Sequence, residues 1–302
     1  MRLLKTIFLI FFCYLITSCS FIKTGYNNAP KLSIWWLNDY FNLSQTQILK
    51  LESALNDLHF WHRQQQLPEI IALLDTMQAA FISDNISADA VCEQVQAFKS
   101  KVYALQTKSI PIILAIAPTL TDQQLARFLM KLDKRTQKWK SQWWQESEKE
   151  QLSVIVDKAE DFAEKVYGDI SEDQLMILKQ SLTEANIKPA ISYDEILRRN
   201  NDAIAILNAL RNINKGANQI NDVVNEPAVD QVSEIQTKLV QAGFDRMQKS
   251  PNSAYQQYVT KLAKNSCETI AKLHTSTNAK QKQHAKKWIG DYIVQLSALQ
   301  TK

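Results

Sequence analysis

The sequence predicts an all-α protein: a multi-helix bundle with one long central helix, following a cleaved lipoprotein signal peptide. Three observations carry that prediction. Glycine is scarce, with five in 302 residues, where an average chain has ~7%, so little material remains for hairpin turns or phosphate-cradling loops. Apolar residues recur at spacings of three and four through most of the chain, the period of a helix with one buried face. Several of these runs open on a hydroxyl-bearing residue three positions ahead of glutamine or glutamate, which is the pattern of a helix-starting capping box. The 45% share of hydrophobic residues is ample for a core.

At the N-terminus, Arg2 and Lys5 precede an apolar run from Thr6 to Thr17. That run is shorter than the ~20 apolar residues of a permanent membrane helix, and small residues follow it at once, so a signal peptide is the better reading and an uncleaved anchor the alternative. The tetrad Ile16-Thr17-Ser18-Cys19 resembles a bacterial lipobox. The resemblance implies removal of residues 1–18, a diacylglyceryl thioether on Cys19, and acylation of the freed amine. Three fatty chains, at about 0.8 kcal/mol per buried CH₂, make such attachment effectively permanent. Ser20 stands where an Asp would retain a lipoprotein at the inner membrane, which implies the outer membrane with the body facing the periplasm. Residues 19–30 contain Gly25, Asn27 and Asn28 without a helical period and are expected to be a lipidated tether. Residues 31–302 are expected to form one all-helical periplasmic domain.

Loss of residues 1–18 would lower the excess of Lys plus Arg over Asp plus Glu from four to two. A near-neutral body with an envelope address excludes a dedicated nucleic-acid binder. Of the four cysteines, Cys13 leaves with the signal and Cys19 carries lipid. Cys92 and Cys267 remain, either as one disulfide of the oxidising periplasm or as two buried thiols.

The elements follow from caps and punctuation. Pro30 suits the first turn of a helix through Trp35, Trp36, Leu37, Tyr40 and Phe41. These rings either sit at a headgroup interface or pack under later helices. Capping boxes at Ser44–Gln47, Thr121–Gln124 and Ser171–Gln174 place three helix starts, and Ser192–Glu195 a fourth. Pro68 separates a run ending near Trp61 from one through Ile70, Leu74 and Phe81. Ser87 caps the run Val91, Val95, Phe98 and Val102, which Pro111 breaks. From Thr121 to Val166 there is neither Pro nor Gly. A helix of that length would extend nearly 70 Å at about 1.5 Å per residue, so either it protrudes or an unmarked break divides it. Gly168 stops it. Further helices are expected over 192–214, 228–247, 251–273 with Ser250-Pro251 as cap and first residue, and 278–299, separated by Gly216 and Asn225-Glu226-Pro227.

On the long helix, Arg127, Lys131, Lys134 and Lys138 share one face and form a possible binding surface for anionic lipid or envelope components, or else a solvated face. His59 and His62, at i and i+3, could share a metal with a third ligand, the basis of an alternative reading as a metal-dependent enzyme; packing and surface hydrogen bonding are the commoner uses. No Gly-x-Ser-x-Gly elbow, phosphate loop or His-Glu-x-x-His helix is present, and no catalytic residue, metal site or cofactor is assigned.

The first three capping boxes resemble the Leu-Thr-x-x-Gln motif of small periplasmic helical chaperones of the Spy and CpxP type, which implies a holdase for client chains. The set Cys19, Tyr26-Asn27-Asn28, Trp36, Asp39-Tyr40, Leu43-Ser44, Gln47, Trp61-His62-Arg63 and Leu67-Pro68 resembles a family of proteobacterial outer-membrane lipoproteins of unknown function. That resemblance implies the address and the helical fold and brings no catalytic residues. The expected role is non-enzymatic binding or scaffolding in the envelope, with the membrane held through the N-terminal lipid and an envelope protein or client chain as partner.

Overall fold

The computed structural model describes residues 22–144, 147–221 and 227–300, without side chains over 217–231. Residues 1–18 and Cys19 lie outside the described residues, as do Asn225 and Glu226. Every regular element among the described residues is helical. In order they are α1 (22–27), α2 (Ala29–Phe41), α3 (Gln45–Trp61), a π-helical turn (His62–Gln66), α4 (Leu67–Ala80), α5 (Ala88–Lys108), α6 (Ile110–Ile116) and a 3₁₀ turn (Ala117–Thr119). There follow α7 (Asp122–Trp143), α8 (Glu148–Tyr167), α9 (Glu172–Ala185), α10 (Pro189–Asn221), α11 (Pro227–Gln248), α12 (Ser253–Thr275) and α13 (Ala279–Gln300).

The helices close around two cores. One gathers Phe41, Leu51, Leu55, Ile112, Ile116, Leu125, Leu207 and Leu210 from α2, α3, α6, α7 and α10. The other gathers Ala163, Val166, Tyr167, Leu178, Leu273 and Ala285 from α8, α9, α12 and α13. Phe81, which caps the C-terminus of α4, packs against the second core, and α5 contacts both α11 and α12. Each core carries the same device at its edge: two capping-box glutamines from different helices, Gln47 with Gln124 and Gln174 with Gln281, bond side chain to side chain. Gln281 belongs to a box whose cap is Asn278 rather than Ser or Thr.

Several boundaries differ from the sequence expectation. The single long helix is divided: α7 ends at Trp143, and Ser147 restarts the chain as α8 with Glu150 completing a capping box. The break was written in Ser147-x-x-Glu150, a cap lying inside an otherwise helical pattern. Among the described residues the longest helix is instead α10, which passes straight through Gly216. A glycine in a helix costs only about 1 kcal/mol relative to alanine, which the rest of a long helix offsets. Ser192 lies inside that helix and caps nothing. Its expected partner Glu195 is buried and accepts hydrogen bonds from Arg198, Arg199 and Ser250. Ser250 donates to Glu195 and accepts from the Asn252 N–H, and it is Asn252 that caps α12, accepting from Ala254 and Tyr255. At Pro68 the chain does not stop. One π turn carries it from α3 into α4, with the Leu67 N–H reaching back to the His62 carbonyl and so widening the turn where a proline ring would crowd the backbone.

Candidate functional site

Residues 22–30 of the segment expected to be a tether are folded onto the body. α1 continues into α2 through backbone bonds from Asn28 to Thr24 and from Leu32 to Asn28, so helical pairing runs across the intervening turn. Its grip on the protein comes from the end of α3 and the π turn. The Tyr26 hydroxyl and His62 Nδ1 lie 2.9 Å apart, and Arg63 donates to Asn27 Oδ1 at 2.6 Å. The Arg63 guanidinium also stands 5.2 Å over the Tyr26 ring, while His59 packs on that ring with centroids 4.7 Å apart. His62 and Arg63 stand three and four residues after His59, which puts all three on one side at the end of α3 and the start of the widened turn.

The electrostatics of this clasp suit neutral partners. Burial pushes the Tyr26 hydroxyl up, against the lowering influence of Arg63, and burial together with nearby His59 pushes His62 down. Tyrosine and imidazole therefore meet uncharged at neutral pH. Of the histidine pair read as a potential metal site, one face is thus turned to Tyr26. Among the described residues no group of three or more His, Cys, Asp or Glu is placed to hold an ion.

The basic stripe meets the same N-terminal segment. Lys131 Nζ lies 2.6 and 2.7 Å from the two Asp39 carboxylate oxygens, and Arg127 donates to the Asp39 carbonyl at 2.9 Å. These bonds tie α7 to α2, and the Lys131 hydrogen bond holds the Asp39 carboxyl below its usual range. The four-residue surface is therefore split. Arg127 and Lys131 are engaged with α2, and Lys134 and Lys138 remain exposed.

The aromatic cluster divides between the two fates considered for it. Phe41 is buried and stacks on Phe128 at 4.7 Å, with Tyr40 beside the same ring. Elsewhere on α2, Trp35 is 72% exposed, and Trp36, whose ring lies 4.5 Å from that of Tyr40, is 48% exposed. A helix only partly covered by α3 and α7 cannot bury a ring at every position of its circumference.

Cys92 on α5 and Cys267 on α12 form a disulfide, with Cα atoms 5.5 Å apart across 175 residues of chain. The sequence could not place these atoms, since their approach depends on how α5 packs on α12. It did contain the clasp in another form: Tyr26-Asn27 and Trp61-His62-Arg63 stand together in the set of residues on which the family resemblance rests. What was missed is that these two groups bind each other.

No curated protein and no solved structure matches the chain. The profile of a family of unknown function, DUF6279, matches residues 39–228. That stretch includes His59, His62 and Arg63 of the clasp, the basic residues of α7 and the first pair of capping glutamines. With more than half of its 302 residues inside the match, the chain belongs to the DUF6279 family.

Proposed function

We propose that this chain is an outer-membrane lipoprotein, anchored by lipid on Cys19 and facing the periplasm, that binds or scaffolds other envelope components without catalysing a reaction. The observation that carries the reading is the Cys92–Cys267 disulfide. Such a bond persists in oxidising compartments and is rare in a reducing cytosol, so it supports the export that the lipobox residues imply. The clasp supports a scaffolding role. A body gripped at Tyr26 and Asn27 is held close to whatever Cys19 is attached to, because only short chain lies between.

A partner surface is offered by α5, where Val95, Phe98 and Val102 are exposed at i, i+3 and i+7 along one face. The same stripe favours a second reading, a holdase for unfolded chains.

The anchor is tested by feeding cells a clickable palmitate analogue. The wild-type chain should take up label and Cys19→Ala should not; an unlabelled wild type would sink the anchor. In-cell crosslinking then separates the two roles. A small set of defined envelope partners supports scaffolding, whereas a broad set of clients, together with suppressed aggregation in vitro, supports the holdase.

A further inference from the structure

We infer that the exposed stripe of α1 and α2, centred on Leu32, Trp35 and Trp36, lies flat on the phospholipid headgroups of the membrane that carries the anchor. This deepens the lipoprotein reading and rests on it. The first observation is geometric. Leu32, Trp35 and Trp36 are 52%, 72% and 48% exposed, and their i, i+3 and i+4 spacing puts them on one face. Because helical bonding continues through Asn28, Thr24 and Asn28 extend that stripe toward the N-terminus. Three large apolar side chains exposed together on one face of α2 differ from the scattered single exposures common on soluble proteins.

The second observation is the chain's own length. Ile22 is three residues after Cys19, a span of at most about 11 Å. The clasp between Tyr26 and His62 fixes the segment that follows, so α1 and α2 are the helices brought nearest to the lipid. The third is charge. Lys23 and Lys31 are exposed on this segment, and no Asp or Glu occurs between Ile22 and Asn38. The nearest acid, Asp39, is ion-paired to Lys131. Indole rings flanked by lysines and free of unpaired carboxylates match the headgroup layer, where amphipathic rings are favoured and lysine stems can reach phosphate. A protein partner would not need the anchor-proximal position or the one-signed charge.

The test uses the full chain purified from membranes and reconstituted into vesicles of phosphatidylethanolamine and phosphatidylglycerol, with and without bromine on the upper acyl carbons. Wild-type tryptophan emission should be quenched by the brominated lipid, and a Trp35→Ser/Trp36→Ser variant should lose most of that quenching. Lys31→Glu, which leaves both rings in place, should weaken it. Circular dichroism shows whether the variants keep the fold. Mass spectrometry of Cys19 in the same samples reads the anchor independently. Lipidated protein with unquenched tryptophans, or quenching unchanged in the double variant, overturns the docked face and leaves the anchor standing. Unlipidated protein overturns the anchor, and quenching after addition to preformed vesicles then decides the face alone: its presence supports docking and its absence overturns it.

Discussion

Gln47 and Gln124 exchange amide hydrogen bonds in both directions, at 3.3 and 2.8 Å, across 77 residues of sequence. Each side-chain oxygen also accepts from the N–H of its own cap, Ser44 or Thr121. Each nitrogen also donates to a carbonyl beside the other's cap, at Thr119 or Asn42. Both buried amides are thus satisfied, and the N-termini of α3 and α7 are locked to each other. Truncating one leaves buried donors and acceptors of the other unpaired, so Gln124→Ala should cost about 2–3 kcal/mol in urea unfolding. Gln47→Ala/Gln124→Ala should cost less than the sum of the single changes, by roughly 0.5–3 kcal/mol. Additive losses would show that the exchange contributes nothing of its own.

The disulfide closes a loop of 175 residues between α5 and α12. In the chain-entropy relation a loop of that length stabilises by up to about 5 kcal/mol, through restriction of the unfolded chain. Cys92→Ala/Cys267→Ala should therefore lower the urea midpoint strongly while leaving helical circular dichroism at low denaturant unchanged. Equal midpoints for oxidised and reduced protein would refute this.

Glu195 is buried, and burial opposes its ionisation, yet hydrogen bonds from Arg198, Arg199 and Ser250 prevail and hold its carboxyl down to about 2. A carboxyl depressed in the folded state contributes stability that is fully present above its unfolded value near 4.5 and disappears as pH falls toward 2. The increment is on the order of 3 kcal/mol. Stability should fall across that window, and Glu195→Gln should flatten the fall while lowering stability at neutral pH, because Arg199 loses its charged partner and Arg198 keeps only Asp202. Paired Asp39, Asp84 and Asp122 are also depressed, so a residual slope should persist.

At the clasp, His62 lies below its ordinary value of 6.5 because of burial and the nearby His59. For a base depressed on folding, the unfolded form binds more protons, so the contribution is complete above about 6.5 and weakens as pH falls through it. Amide protection factors over residues 24–32, taken relative to the intrinsic exchange rate at each pH, should fall on acidification below that point. Tyr26→Phe keeps the ring on His59 and removes only the hydroxyl bond, so the same amides should open more readily by roughly 1 kcal/mol at neutral pH. Exchange in this segment that is indifferent to both changes would mean that α1 is held by something else.

Legibility followed the range of each signal. Caps are local, because a side chain bonds a backbone group three residues away, and so the boxes at Ser44, Thr121 and Ser171 could be read directly. The same rule applied inside an uninterrupted stretch would have found Ser147 and divided α7 from α8. Extending the cap to asparagine would have found Asn278, and with it the second glutamine pair. Ser192 misled because a capping pattern gives the same residues whether it starts a helix or lies within one. Only the approach of α10 to Ser250 shows that Glu195 faces inward.

By itself the sequence determined the helical class, most helix starts, the stop at Gly168 and the residues able to cap, since these depend on backbone conformation and near neighbours. Tertiary structure alone decided which capped helices meet through Gln47 and Gln124, that Cys92 reaches Cys267, and that His62 and Arg63 hold Tyr26 and Asn27. It also decided that Arg127 and Lys131 turn to α2 while Trp35 and Trp36 stay uncovered. Such pairings join residues tens to hundreds of positions apart. Their energies depend on how faces pack, and periodicity gives a face without naming what lies against it.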